Sequence, residues 1–312
     1  MESSIGKFMK ILYIDNRDYH HNRDIHVDFF AFINKQVKHQ LFAYGKHLRR
    51  FIRDATVPGI DPSRELKRIV DRFKPTCIVT YNCNGSSYEL GLDNVNLYKW
   101  CQEFLVSTNI PKFHISTDYC RDGFRPEQGN WFKEMNYTAA LFRHKISLQY
   151  PIDVPAYWFP FSVDAQLYQL NSKFNVKSKT GKVGFVGAAH NSAKNLYAHR
   201  IAAIDYLQKK NKLALTKILD EKKFERKILM NKEYVNFLSH NLFGLTCGGT
   251  CNFMTAKYFQ IPAAYSMLIC TETNGLEIFP KDTYLTYNKD ILDELNYQID
   301  YYNKNLREAK FK

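Results

Sequence analysis

The chain has no run of about 20 apolar residues of the kind that spans a bilayer. It also has no G-x-G-x-x-G after a strand, no D-x-D pair and no two C-x-x-C pairs. Each absence removes a class. A bilayer-spanning helix is excluded by the first, and a dinucleotide-dependent oxidoreductase with the Rossmann fingerprint by the second. The lack of D-x-D argues against a diphosphate bridged by a metal, and the cysteine spacing argues against zinc. The seven cysteines, Cys77, Cys83, Cys101, Cys120, Cys247, Cys251 and Cys270, are odd in number and scattered, the usage of reduced thiols. No metal ligand set and no cofactor motif appear. The N-terminal MESSIGKFMKILYID enters a strand pattern without the apolar core and cleavage site of a signal peptide, which predicts an intracellular, cytoplasmic protein.

Acids are short as well: 31 against 44 Lys and Arg, for a net charge of +13. Between Lys173 and Lys232 there are fifteen Lys/Arg and four acids, 15 − 4 = +11. Lys35, Lys38, Lys46, Arg49, Arg50 and Arg53 form a second basic cluster within 35–53. Such stretches attract nucleic acid, anionic lipid headgroups or a sugar nucleotide, and they also suit a solvated lysine-rich surface from an AT-rich genome. With 45% hydrophobic and 15% aromatic residues the chain is globular, and 312 residues suit two domains of roughly 150.

Apolar runs alternate with helical periodicity throughout. Strands are predicted at Phe8–Asp15, Gln40–Tyr44, Cys77–Tyr81, Lys112–Ser116, Lys182–Val186, Leu242–Thr246, Met267–Cys270 and Tyr284–Tyr287. Helices are predicted at His26–Lys38, from Asp61-Pro62 to Phe73, near Asn94–Val106, after Ser192 with Leu196, Ile201, Ile204 and Leu207 inward, and at Ile291–Leu306. Repeated β-α units of this length imply parallel sheets. The polar run Asn171–Lys182 marks the domain boundary, giving 1–172 and 173–312. Asp122–Asn136, rich in glycine, proline and charge, reads as a mobile flap.

Loops after strands at the carboxyl edge of an α/β sheet are where ligands bind. The first carries His20, His21 and Asp24, a proton acceptor for a hydroxyl among them. Asn84 and Ser86 follow the third strand, and Asp118 and Tyr119 the fourth. The stretch Asn241–Thr271 holds a strand, the turn Gly248-Gly249, a helix and another strand. Thr250 or Asn252 is placed to cap that helix, and the free N–H groups over Gly248–Cys251 suit a phosphate or diphosphate.

Thr255-Ala256-Lys257-Tyr258-Phe259-Gln260-Ile261-Pro262-Ala263-Ala264-Tyr265-Ser266-Met267-Leu268-Ile269 resembles the donor-side signature of GT-B glycosyltransferases, particularly the CgeB-like group. There a (K/R)-x-F-E-x-x-A-C-G-x-x-(L/I) segment follows a glycine or serine turn. Trp158–Asp164 resembles the segment that links the two GT-B halves. The chain departs at Gln260, where an acid usually holds the ribose, and at Tyr265, where glycine is usual. The resemblance implies an α/β protein of two doubly wound Rossmann-like domains facing a cleft, with the last helix returning to the first domain. It further implies transfer of a sugar from a nucleotide sugar, without a metal or cofactor. Donor contacts would come from Gly187, His190, Arg200, Gly248, Gly249, Thr250, Lys257 and Gln260, and catalysis from Asp118, His20 or His21. Asp24, Asn84, Ser86 and Tyr119 would meet the acceptor. The basic stretches direct attention to a hydroxylated base in viral DNA as that acceptor. Glycan, lipid or protein acceptors, and a binding protein that has lost transfer, are the alternatives.

Overall fold

The computed structural model describes residues 9–15, 39–44, 62–81, 103–116, 131–163, 165–172, 175–187, 194–215, 232–249 and 252–305. The chain divides into two compact units between Pro160 and Phe161, ahead of the boundary expected at 172.

In the first unit β1 (Met9–Asp15), β2 (His39–Tyr44), β3 (Cys77–Tyr81), β4 (Lys112–Ser116), β5 (Ala139–Phe142) and β6 (Ala156–Trp158) form one parallel sheet in the order β2-β1-β3-β4-β5-β6. β1 shows why the run Ile11–Ile14 is apolar throughout. Leu12 and Ile14 point to a cluster with Leu66, Phe104, Phe132 and Phe142, while Ile11 and Tyr13 point to Val79 and Ile115 on the other face. Helix α1 (Pro62–Phe73) has proline as its first residue, where no N–H is needed, and buries Leu66. Lys74 then takes φ 51° ahead of Pro75, and the helix ends.

Phe132 and Met135, within the stretch read as a flap, are buried in this core. The sequence there alternates apolar residues with the charges that suggested exposure, and for residues 131–136 the burial overturns that reading.

The second unit holds α2 (Ala165–Asn171), β7 (Thr180–Phe185), α3 (Lys194–Lys209), β8 (Leu213–Leu215), α4 (Lys232–His240), β9 (Asn241–Leu245), α5 (Lys257–Ala263), β10 (Met267–Cys270), β11 (Tyr284–Thr286) and α6 (Leu292–Lys304). Its sheet is parallel, in the order β11-β10-β9-β7-β8. Leu295 and Ile299 of α6 join the core built by Val183, Phe243, Ile269 and Leu207. Three-residue β8 was not anticipated, because a run that short carries no period.

Counted within each unit, both sheets share one strand order. β2-β1-β3-β4-β5 and β8-β7-β9-β10-β11 are each the doubly wound 2-1-3-4-5 arrangement. In that arrangement the chain leaves the first strand to one side and later returns to the other. A crevice therefore opens at the carboxyl ends of the first and third strands. These positions are β1/β3 in the first unit and β7/β9 in the second.

Candidate active site

At the β7/β9 crevice, β7 ends at Phe185 and the chain passes through Val186 to Gly187, whose φ is 149°. A β-carbon there would lie 3.2 Å from Lys257 Nζ and 3.3 Å from Phe185 Cζ. Glycine is needed twice over: for the backbone angle and to let a cation approach the main chain.

Lys257 opens α5 and is half-buried. Its pKa is lowered to about 8, first by burial and then by the positive charge of Arg200. Among the described residues no carboxylate pairs with it. Arg200, on α3, is 3% exposed, and its guanidinium carbon lies 3.9 Å from the Tyr197 ring centroid and 5.6 Å from that of Phe185. One cation thus reaches a bare turn at the end of a parallel strand, and a second lies near enough to lower its pKa. Positive charge gathered in this way favours an anion beside it.

The glycine turn after β9 behaves differently from expectation. The helix starts at Lys257, with Ala256 before it, and Asn252 is not its cap. Asn252 instead takes φ 54° in a turn closed by Phe253 N–H donating to the Gly248 carbonyl at 3.0 Å. Gly248 N–H donates to Thr271 Oγ1 at 2.9 Å, so this group is engaged within the protein. A β-carbon at Gly248 would fall 2.2 Å from Thr273 Cγ2, which makes the residue a packing glycine. Gly249, at φ 64°, supplies the left-handed step the turn needs.

Residues that sequence reasoning passed over hold this edge together. Tyr258 donates its hydroxyl hydrogen to the Thr271 carbonyl at 3.1 Å, and Tyr287 donates to that of Thr246 at 3.2 Å. Burial raises the pKa of both phenols, keeping them protonated donors. Only the aromatic–polar mix of these strand ends hinted at them.

Gln260 is 7% exposed, and its Oε1 accepts from the Tyr234 hydroxyl at 3.0 Å. Tyr265 takes φ 56°, with its N–H donating to Pro262 O at 2.8 Å and Ser266 N–H to Ile261 O at 3.2 Å. This is a Schellman closure of α5, which explains why glycine is usual at that position in the family this segment resembles.

In the first unit, β1 and β3 end in register at Asp15 and Tyr81. Their following loops carry His20, His21, Asp24, Asn84 and Ser86, which lie outside the described residues, as do Asp118, Tyr119, His190 and Thr250. The basic stretch at 35–53 is described only at β2. Among the described residues, three or more potential metal ligands do not cluster anywhere, and no helix is long and apolar enough to cross a membrane.

Two doubly wound units of one strand order, with a ligand crevice at each switch point, define the GT-B fold. Neither a protein-family model nor a curated protein matches the chain. Among solved structures, an alpha-glucosyltransferase in complex with UDP and a 13-mer DNA containing a central A:G mismatch superposes with a TM-score of 0.62 at 11% identity, over 97% of this chain and 93% of that one. More distant are the glycotransferase of kitacinnamycin, with a TM-score of 0.49 at 9% identity over 97% and 92% of the two chains, and the UDP-GlcNAc 2-epimerase from Neisseria meningitidis bound to UDP-GlcNAc, with 0.47 at 13% over 97% and 95%.

Proposed function

We propose that the protein is a glycosyltransferase that moves a sugar from a nucleoside diphosphate sugar to a hydroxyl group, with the donor's diphosphate seated at Gly187, Arg200 and Lys257. The approach of Lys257 to the Gly187 backbone at the β7/β9 switch point, with Arg200 near enough to lower the lysine's pKa, carries this reading. In the reaction the bond between the anomeric carbon and the diphosphate oxygen breaks, and a bond from that carbon to the acceptor oxygen forms. The acceptor proton passes to a base, for which Asp118, His20 and His21 are the candidates. Negative charge grows on the leaving diphosphate as the first bond lengthens, and fixed cations beside it stabilise that change more than the ground state. No metal is required for this step where two side chains supply the charge. His190, Gly249, Thr250 and the Gln260 amide complete the proposed donor site, and the similarity of Thr255–Ile269 to CgeB-like proteins supports the same reading.

For the acceptor we favour a hydroxylated base in DNA. The support is the +11 stretch at Lys173–Lys232 and a fold relative whose structure contains UDP and DNA. The base would be turned out of the duplex to reach the sugar, with Asp24, Asn84, Ser86 and Tyr119 proposed to receive it. One observation favours a second reading, a binding protein without transfer: Gln260 replaces an acid and has its carbonyl engaged by Tyr234.

The test is release of nucleoside diphosphate from labelled sugar donors, UDP-glucose first, with and without hydroxymethylated duplex DNA. Lys257→Ala is expected to weaken nucleotide binding about tenfold or more, the loss of a charge-assisted contact. Acceptor affinity that falls steeply with salt supports DNA, and affinity indifferent to salt directs the search to neutral glycans. Nucleotide binding with neither transfer nor hydrolysis establishes the second reading.

A further inference from the structure

We infer that the amino edge of the second unit's sheet is a docking surface for nucleic acid, which it holds by the backbone phosphates through Lys177, Lys182, Lys209, Lys210 and Lys304. The inference shares with the proposed function only the choice of nucleic acid as partner, and it stands whether or not a sugar is transferred. Separate segments bring the lysines to one place. Lys177 lies in the turn Val176–Ser178 that leads into β7, and Lys182 near the start of β7 itself. Lys209 is the last residue of α3, and Lys210 follows it on the way to β8. Lys304 ends α6.

Contacts between these segments fix the arrangement. Val183 N–H donates to the Lys212 carbonyl at 2.8 Å, which aligns the starts of β7 and β8, and Lys182 Nζ lies 3.5 Å from Asn211 Oδ1. Asn303 Nδ2 donates to the Gly181 carbonyl at 2.9 Å, bringing the last turn of α6 against the first residues of β7. All five lysines are exposed, and among the described residues none has a carboxylate within ion-pair distance. Of the acids on these segments, Asp300 is taken by Lys212 at 2.6 Å, Asp205 stands one turn before Lys209, and Asp293 and Glu294 lie at the opposite end of α6.

The chemistry favours a polyanion over a small anion. A row of phosphates meets several ammonium groups at once and releases counterions at each contact. An anionic bilayer would answer the same charge, but peripheral membrane binding also draws on apolar side chains inserted beside the basic ones. The aliphatic side chains exposed among the described residues of this unit stand elsewhere: Leu170 on α2, Ile278 after β10 and Ile291 ahead of α6. Phosphate contacts position a duplex and carry no sequence information. Gly187 lies at the other edge of the sheet, six residues beyond Gly181 along β7, which is roughly 20 Å of extended chain. The surface is thus separate from the crevice proposed for the donor.

The experiment follows the anisotropy of a labelled, unmodified DNA duplex with the full chain over a series of salt concentrations. It compares wild type with a patch variant, Lys182→Gln/Lys209→Gln/Lys210→Gln/Lys304→Gln, and with a control that removes the same charge elsewhere, Lys67→Gln/Lys74→Gln/Lys133→Gln/Lys289→Gln. The patch variant is expected to bind at least about tenfold more weakly at low salt, and its slope of log K against log salt to shrink by up to about 0.9 for each lysine removed. The control should keep most of the wild-type slope, arginine at the four patch positions should keep binding, and calorimetric affinity for UDP should be the same in all. Neutralising each lysine singly gives the same reading in smaller steps, should the fourfold variant fail to fold. The inference is overturned if the wild type does not bind the duplex, if the patch variants keep the wild-type slope, or if the control loses as much. Loss of binding to phosphatidylserine vesicles in the patch variant, with duplex binding intact, overturns it in favour of a membrane. A wild type that binds the duplex but not UDP sinks the donor-site reading and leaves this surface in place.

Discussion

Lys257 Nζ occupies the space beside Gly187 so closely that a single added methyl would come within 3.2 Å of it. The two residues belong to different strand–helix units, brought together because β9 lies next to β7. Gly187→Ala should therefore fail in two ways. The φ of 149° is strained for any other residue, at about 1–3 kcal/mol, and the new methyl displaces the ammonium. Urea unfolding should show the stability loss. Calorimetry with UDP should show weaker binding even where the variant is fully folded.

If the donor site proposed above holds, the titration of Lys257 sets a pH limit on nucleotide binding. Its pKa, lowered to about 8, means that the ammonium is present below that pH and lost above it. Affinity for UDP should fall between pH 7 and 9, and in Lys257→Met the fall should vanish along with the higher affinity. For stability the sign is opposite. An unfolded lysine near 10.5 binds a proton that the folded one has released, so this group's contribution rises with pH between about 8 and 10.5.

His114 predicts acid sensitivity of the first unit. It is fully buried among Trp131, Phe132 and Tyr137, with Nδ1 2.8 Å from Thr80 Oγ1, and burial lowers its pKa to about 3. An unfolded histidine titrates near 6.5, so in the window from about 6.5 down to 3 the unfolded chain binds the proton and the folded one does not. The neutral ring's contribution is complete above 6.5 and is lost as pH falls, by about 2 kcal/mol at pH 5. Urea midpoints at pH 7.5 and 5 should show this slope, and His114→Phe should flatten it.

Tyr265 closes α5 from a left-handed conformation at φ 56°, where a side chain costs about 1–2 kcal/mol. Tyr265→Gly is expected to raise stability by about 1 kcal/mol, the strain relieved less the ring's packing. A lower melting temperature would mean that the ring's contacts outweigh the backbone.

Much of the architecture was legible because its strands are short apolar runs cut off by proline, glycine or polar residues. Cys77–Tyr81, Lys112–Ser116 and Met267–Cys270 have the bounds that pattern implies. What the sequence hid was mostly non-local. Thr250 and Asn252 look like helix caps, yet the segment is tied back by a bridge between Phe253 and Asn274, and the helix waits until Lys257. Gly187 and Lys257 were each legible as candidates, but their meeting depends on β9 pairing with β7, which no local pattern states. Charge counted along the chain also overstates charge in space. Lys212, within the basic stretch, pairs with Asp300 of α6 at 2.6 Å, and Tyr206 hydrogen-bonds Asp293 of the same helix.

The insertion of β9 beside β7 also governs when the proposed donor site comes into being. Between these two neighbours the chain runs through α3, β8 and α4, so their pairing closes the longest loop within that sheet. Long-range parallel pairings form slowly, because closure entropy is lost before any contact compensates. Until β9 docks, nothing holds Lys257 beside Gly187, and the proposed diphosphate site is incomplete. Recovery of nucleotide binding after dilution from denaturant would therefore time the pairing of β9 with β7, which helix content alone does not report.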